Sequence, residues 1–373
     1  MNLISENIPT QERVHSILNN FLQYESIPHA FLFSGPDGVG KENTAIQFAK
    51  NLAAIRSKAD EIDRIITAIE QLQEPYIKYI FPLPRGRNET DTSTPTEKLT
   101  SDEIDLIREQ LKIKSKNPFH KIVIPKANSI KINSIRDIKK FLSLNYDETG
   151  FRFIIISDAH LMNDEAQNAL LKSLEEPPDN VVFILSTSMI SKLRPTIISR
   201  CWKISFDPLP AEVIVEILTK KFQIEKSVSE EVAQFAMGSV QSALKLIESD
   251  FQNLKEKTIS ILRYSFGRKF HSAFEELNSV LSTKSSTEIH IVIFMILIWL
   301  NDIQKNRLGL DNLFYNDYLE TIEKFNSKFP DIDVNILTSK LEKLSNLTRN
   351  NINPNLLSAN LIIELSSVVL EST

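Results

Sequence analysis

Two apolar runs on either side of an amphipathic segment, all within residues 151–202, constrain the fold more than any other part of the sequence. Residues 153–156 and 181–185 are apolar and rich in β-branched side chains, which is typical of buried strands. Between them, apolar residues recur at helical spacing until Pro177 and Pro178 end the helix. A strand, a helix and a strand in this order predict a parallel sheet.

Polar side chains follow both of these predicted strands. Ser157 and Asp158 follow the first strand, and Thr187 lies at the end of the second. Ligands of parallel sheets bind beyond the carboxyl ends of the strands. We therefore expect Asp158 and Thr187 to lie together at a ligand-binding edge.

Residues 35–41 have the pattern of a phosphate-binding loop. The loop follows a short apolar run at 29–34 and precedes a predicted helix at 42–55, which is the context that such a loop requires. Its glycines allow backbone N–H groups to surround phosphate oxygens, and its lysine reaches the outer phosphates. The residues predicted to bind ATP are Gly35, Gly38, Gly40 and Lys41.

Glu42 departs from this pattern at the position after the lysine. A serine or threonine is expected there, because its hydroxyl holds Mg²⁺ beside the nucleotide. A carboxylate can also bind Mg²⁺, but its charge repels the phosphates. We therefore predict that Glu42 contributes to a weakened ATP site, or to one with an altered dependence on Mg²⁺.

The middle of the chain is the least informative part. The patterns predict helices at 62–72 and 101–112, and a short strand at 120–125. Residues 85–101 are polar, with scattered Thr, Ser and Pro, and are predicted to form an exposed or disordered loop. After residue 206 the strand patterns fade, and helices are predicted to the end of the chain.

Two motifs carry a family resemblance. Residues 168–178 read NALLKSLEEPP, and residues 199–201 read SRC. Both closely resemble bacterial DNA polymerase III clamp-loader subunits, the delta-prime and gamma/tau group of the AAA+ superfamily. The resemblance implies an α/β AAA+ domain with a central parallel sheet at 1–206, a small helical lid at 207–251 and an all-α collar domain at 252–373.

The resemblance also implies where an ATPase would keep its catalytic groups. Such enzymes use an Asp for Mg²⁺ and a Glu for the attacking water at the end of one strand. Ser157 stands at the Asp position and Asp158 at the Glu position; in a register shifted by one residue, Asp158 would hold the metal and Ala159 would stand at the Glu position. One carboxylate is missing in either register. Thr187 stands at the first nucleotide sensor, and Gln241 replaces the arginine of the second. We predict a degenerate site with impaired hydrolysis.

Arg200 matches the arginine finger of the family, which acts in trans on ATP held by the neighbouring subunit. The alternative is an arginine that closes a local ion pair. Glu175 and Glu176 resemble a catalytic pair, but they end a helix before two prolines. A structural or interface role is therefore predicted for both.

No structural zinc is predicted. The family often carries a four-cysteine zinc module within the region of residues 51–117, whereas Cys201 is the single cysteine of this sequence. A net charge of −5 argues against a chain that grips nucleic acid alone. The basic side chains of a predicted helix at 131–144 fit either a solvated face or a contact with DNA.

The N-terminus shows no apolar signal segment, and the longest apolar run, 291–300, is too short to span a bilayer. We therefore expect a cytoplasmic protein without a membrane partner. The resemblance implies a delta-prime-type subunit in a heteropentamer with gamma/tau and delta subunits, acting on the sliding clamp and on primer-template DNA. The alternatives are an active gamma-type ATPase, a small-molecule kinase with a phosphate-binding loop, and a scaffold that binds no nucleotide.

Overall fold

The structure is a computed structural model that describes residues 11–24, 26–57, 60–143, 151–281, 286–347 and 352–367. The chain divides into two compact units, Met1–Ser242 and Ala243–Thr373. The predicted division at residues 206 and 251 stays a prediction.

The first unit contains one five-stranded sheet in which every pair of neighbours is parallel. The strands are β1 (Ala30–Ser34), β2 (Ile77–Ile80), β3 (Arg152–Ile156), β4 (Val181–Thr187) and β5 (Trp202–Ser205). Their spatial order is β2-β3-β4-β1-β5. The predicted α/β class with a central parallel sheet is thereby confirmed.

The register of the three central strands brings their carboxyl ends together. Ser34 of β1 lies beside Thr187 of β4, and Ile156 of β3 lies beside Leu185 of β4. The residues that follow β1, β3 and β4 therefore meet at one edge of the sheet, as the sequence predicted.

Helices cover both faces of this sheet. On one face, Phe31 of β1 packs edge-to-face against Phe21 and Phe48. On the other, Ile138 and Leu170 share a buried core with the inward side chains of β3 and β4. The helices of this unit are α1 (Glu12–Gln23), α2 (Lys41–Arg56), α3 (Ile62–Glu70), α4 (Ser101–Lys116), α5 (Ile132–Ser143), α6 (Asp164–Glu175), α7 (Pro195–Ile198), α8 (Ala211–Phe222) and α9 (Lys226–Phe235), with α10 (Val240–Glu248) running across the unit boundary.

The described residues of the second unit form helices joined by turns and loops, and they contain no strand, as predicted. Its longest described helix is α13 (Ser286–Arg307), in which Ile293, Trp299 and Leu300 are buried. No described helix is long and apolar enough to cross a membrane. The helices are α11 (Phe251–Phe266), α12 (Phe270–Val280), α13 (Ser286–Arg307), α14 (Leu319–Lys328), α15 (Val334–Leu347) and α16 (Pro354–Ser367).

Residues 85–100 form a loop that is exposed at most of its positions, as predicted, but a buried side chain holds the loop in place. The buried carboxylate of Glu89 accepts hydrogen bonds from Lys131 Nζ and Asn133 Nδ2, each at 2.8 Å. Lys131 Nζ also donates to the carbonyl oxygens of Pro84 and Pro95. A buried ion pair thus fastens this loop to the start of α5.

Two strand predictions need correction. Residues 120–125, all of which the structure describes, form no strand. A strand that the patterns missed, β2 (Ile77–Ile80), extends the sheet beyond β3.

Candidate functional site

The phosphate-binding loop joins β1 to α2 at the meeting point of the strand ends. Gly38 and Gly40 have φ angles of 75° and 95°, which side-chain-bearing residues rarely adopt. At Gly38 the loop also lies against residues 239–241, and a Cβ there would overlap Ser239 and Gln241. The amide of Val240 donates to the carbonyl oxygen of Gly38 at 3.0 Å. Gln241 therefore lies beside the loop, where the second sensor was expected.

Lys41, the first residue of α2, is turned back onto its own loop. Its Nζ donates to the carbonyl oxygens of Gly35, at 2.7 Å, and Pro36. Burial lowers the pKa of Lys41, and the nearby carboxylates of Asp37, Glu42 and Asp158 oppose that shift. The lysine predicted to reach phosphates binds loop carbonyls in this structure.

Glu42 is paired with a lysine of the same chain. Its carboxylate forms an ion pair with Lys114 of α4. It also accepts hydrogen bonds from the hydroxyls of Tyr79, at 2.7 Å, and Ser157. Burial alone would raise the pKa of Glu42, but the charge of Lys114 and these hydrogen bonds lower it to about 2. Glu42 is therefore a half-buried, ionised carboxylate with several partners in the same chain.

Lys114 has a hydrogen-bond acceptor for each of its three N–H groups. Besides Glu42, its Nζ donates to the carbonyl oxygens of Pro118, at 2.8 Å, and His120, at 2.7 Å. The side chain of Asn117 also accepts from the amide of Phe119, which tightens the turn after α4. These bonds fold residues 114–122, here called the plug segment, across the carboxyl edge of the sheet.

A second lysine of the plug segment connects the loop to the strand end. Lys121 Nζ lies 2.9 Å from Asp37 Oδ2 and 3.2 Å from Asp158 Oδ2. Burial would lower the pKa of Lys121, but the charges of the two carboxylates raise it well above its ordinary value. Asp158, the predicted degenerate catalytic carboxylate, therefore faces a lysine rather than open solvent.

Phe119 closes the site from the side of the plug segment. Its buried ring lies against the position of Gly40, where an added Cβ would be 3.7 Å from Cε1. The same ring contacts Phe222 of α8 edge-to-face. The space left between the loop, the strand ends and the plug segment is a cavity of about 50 Å³.

This arrangement does not fit a magnesium nucleotide. The group at the metal position, Glu42, already holds an ammonium group, and Ser157 replaces the expected carboxylate. Among the described residues, no group of His, Cys, Asp and Glu side chains is arranged to hold a metal ion.

The hydroxyl of Thr187 is engaged away from the cavity. It lies 3.1 Å from His160 Nδ1 and accepts a hydrogen bond from the amide of Met189 at 3.0 Å. The neighbouring Ser186 lines the cavity instead, and its hydroxyl lies 3.4 Å from Glu42. The role of Thr187 as a sensor stays a prediction.

Arg200 lies just after α7 and outside the set of described residues that line the cavity. Its Nη2 is 2.7 Å from Oε1 of Glu175, and its Nη1 donates to the carbonyl oxygen of Thr196 at 2.9 Å. About a third of the side chain is exposed. The local ion pair considered for Arg200 does form, and its partner is the first glutamate of the NALLKSLEEPP run.

Four groups that shape the site were missed by reading the sequence: Asp37, Tyr79, Lys114 and Lys121. A carboxylate inside a phosphate-binding loop was a visible signal, since Asp37 adds negative charge where phosphates would bind. The other three come from a stretch whose patterns did not indicate its position relative to the loop.

Comparison with known proteins places the chain among replication proteins. The subunit delta' of DNA polymerase III from Bacillus subtilis is 26% identical over 320 residues, which cover 84% of this chain and 83% of that protein. The subunit tau from the same organism is 29% identical over 248 residues, 65% of this chain. The match spans only 37% of the length of tau.

A solved structure of a gamma-subunit-related protein from Thermotoga maritima covers 95% of this chain and 99% of its own, with 16% identity and a TM-score of 0.48. That superposition is too loose to carry an argument. A family model described as "DNA polymerase III, delta subunit" matches residues 10–210, more than half of the chain. The chain therefore belongs to this family of DNA polymerase III clamp-loader proteins within the AAA+ superfamily.

Proposed function

We propose that this chain is a delta-prime-type clamp-loader subunit that does not turn over ATP itself. It would join gamma/tau-type and delta-type subunits in a cytoplasmic heteropentamer that loads the sliding clamp onto primer-template DNA. Contact with DNA would be made through the complex, since the chain carries a net charge of −5. The helical residues 252–373 would form the collar that joins the subunits.

The ion pair between Glu42 and Lys114 is the observation that carries this proposal. An active ATPase needs a hydroxyl and a carboxylate to hold Mg²⁺ against the phosphates. Here Glu42 takes the hydroxyl position and is neutralised by a lysine, while Ser157 takes the carboxylate position. Lys121 occupies the remaining carboxylate, Asp158. Among the described residues of this site, the groups at the metal position are thus already engaged by partners of the same chain.

The extent of the matches supports the same role. The delta' relative aligns over 84% of this chain, and the tau relative over 65%. A gamma-type motor would need a free metal site at Glu42 and Ser157. A small-molecule kinase would need the same site and would have no use for the NALLKSLEEPP and SRC motifs.

Arg200 would supply the catalytic contribution of this subunit. A guanidinium beside the γ-phosphate of a neighbouring subunit stabilises the negative charge that develops on the transferring phosphoryl group. Arg200 is partly exposed, and its Nη1 and Nη2 are held by Thr196 and Glu175 of the same chain. Its planar group keeps further N–H donors for an anion on the partner.

The test is steady-state ATP hydrolysis by the isolated chain. We expect turnover at the background level, unchanged by Lys41→Ala. Turnover comparable to that of a gamma-type subunit, abolished by Lys41→Ala, would overturn the delta-prime-type role in favour of an active motor.

A further inference from the structure

We propose that Lys114 takes the place of the magnesium ion in this chain, and that the plug segment is a built-in occupant of the nucleotide site. The proposal rests on contacts within the first unit alone, and it would stand whatever position the subunit holds in a ring.

The position of the ammonium group is the first argument. Lys114 Nζ is bound by the carboxylate of the residue that follows the loop lysine, which is where a magnesium ion would find its hydroxyl ligand. Two strand-end hydroxyls, those of Ser157 and Ser186, converge on the same carboxylate. A positive charge at the junction of loop, helix and strand ends is thus supplied by the chain itself.

The hydrogen bonds of the Lys114 ammonium group also support the proposal. Burying a charge is costly unless it is paired and hydrogen-bonded. Lys114 meets both conditions, because one N–H group faces Glu42 and the other two face carbonyl oxygens of the plug segment. Displacing this lysine by a metal ion would remove the two hydrogen bonds that it donates to the carbonyl groups of Pro118 and His120.

Charge balance across the cavity is the third argument. Three carboxylates, on Asp37, Glu42 and Asp158, face three ammonium groups, on Lys41, Lys114 and Lys121. The formal charges of this set cancel. A nucleotide would bring several negative charges into a set that is already neutral, and it would have to expel the plug segment to do so.

The contacts that Lys121 and Phe119 make indicate the role of the plug segment. Lys121 connects Asp37 of the loop to Asp158 of the strand end, and Phe119 connects Gly40 to Phe222 of α8. The plug segment thus contacts the loop, the strand end and α8 at once. The plug segment therefore fixes the first unit in one arrangement that does not depend on nucleotide.

The test removes the ammonium group of Lys114 and measures whether a metal ion then binds in its place, with Mn²⁺ alone as the probe. In the full-length Lys114→Ser variant, Glu42 and the hydroxyls of Ser157 and Ser186 lose their cation. We expect this variant to bind one Mn²⁺ at least tenfold more tightly than the unmodified chain, as measured by electron paramagnetic resonance. A control, Lys112→Ser, changes an exposed lysine of the same helix and should gain no binding.

A second substitution identifies the ligand. Adding Glu42→Gln to Lys114→Ser should abolish the gained Mn²⁺ binding. A folded Lys114→Ser variant that binds Mn²⁺ no better than the unmodified chain would overturn the proposal, and so would binding that persists without the Glu42 carboxylate.

If the Lys114→Ser variant does not fold, the proposal is tested on the unmodified chain. Its thermal unfolding is followed with and without millimolar Mg-ATP. We expect a shift in melting temperature below about 1 °C, because a ligand that stabilises the fold must bind the native state. A saturable rise of several degrees that Lys41→Ala removes would show that the nucleotide displaces the plug segment, and the proposal would fail.

Discussion

The guanidinium Nη2 of Arg200 lies 2.7 Å from the carboxylate Oε1 of Glu175. This contact joins the two motifs on which the family resemblance rests, since Glu175 belongs to the NALLKSLEEPP run and Arg200 to the SRC run. The predicted structural role of Glu175 and the predicted finger role of Arg200 can therefore be tested together.

We expect Glu175→Ala to lower ATP hydrolysis by the reconstituted clamp loader by about two- to tenfold, less than a full loss of a finger that acts in trans. The pair is partly exposed, so its removal should change the free energy of unfolding of this chain by no more than about 1 kcal/mol. ATPase assays of the complex and urea unfolding of the subunit measure the two effects.

Glu176→Ala provides the matched control, because this adjacent glutamate is exposed and is not the partner of Arg200. If both substitutions reduced hydrolysis equally, the effect would belong to the end of the helix rather than to the position of Arg200.

Lowering the pH should reduce the contribution of Glu42 to the free energy of unfolding. Its pKa is about 2 in the folded chain, against an ordinary value of 4.5. A carboxyl with a depressed folded pKa stabilises the fold above the unfolded pKa and loses that contribution as the pH falls through the folded value. We therefore expect the stability difference between the unmodified chain and Glu42→Gln to be largest above pH 4.5 and to shrink towards pH 2.

Urea unfolding of both proteins at pH 7, 4.5 and 3 checks this prediction. Folding at pH 3 has to be established first by circular dichroism. A stability difference that stays constant from pH 7 to pH 3 would mean that Glu42 is not held as an ionised partner of Lys114.

Lys131→Met should release the loop at residues 85–100. The substitution leaves the buried carboxylate of Glu89 without its cation, and it leaves the carbonyl oxygens of Pro84 and Pro95 without a donor. Removing one partner of a buried pair costs about 3–5 kcal/mol. Urea unfolding measures this loss, and limited proteolysis locates it to the loop.

The exposed Lys139 of α5, the helix that follows Lys131, supplies the control, and Lys139→Met should leave stability within about 0.5 kcal/mol of the unmodified chain. Equal stability of Lys131→Met and Lys139→Met would contradict the fastening role of the ion pair.

The parts of the fold with regular local patterns were predictable from sequence. The βαβ unit and the loop at residues 35–41 each combine an apolar strand with a helix of regular spacing, so local residue chemistry was enough to position Asp158 and Lys41 at one edge. Strand β2 was missed because its four residues, 77–80, include two polar ones and form too short a pattern.

The contacts of Lys114 and Lys121 that fill the site could not be predicted from local sequence patterns. Lys114 reaches Glu42 across 72 residues of sequence, and Lys121 reaches Asp37 across 84. Such pairs depend on the tertiary position of the turn after α4, which has neither a helical nor an alternating pattern. The anchoring of the loop at 85–100 was not predictable for the same reason, because Lys131 and Asn133 lie more than 40 residues from Glu89 in the sequence.

The central claim is that this subunit gives its neighbour an arginine while its own site stays inactive. The most direct measurement is clamp- and DNA-stimulated ATP hydrolysis by the reconstituted complex carrying Arg200→Ala, beside thermal unfolding of the isolated subunit. A finger in trans is worth on the order of 10³–10⁵ in rate where it is fully used, and one finger among several should give a smaller total loss.

Arg194→Ala is the control, since Arg194 has similar exposure and its own ion pair, with Asp164. The account predicts that Arg200→Ala lowers hydrolysis by the complex while Arg194→Ala does not, with the melting temperature of the subunit unchanged by either. Full activity of the Arg200→Ala complex would contradict the account, as would a large loss of subunit stability in place of a loss of hydrolysis.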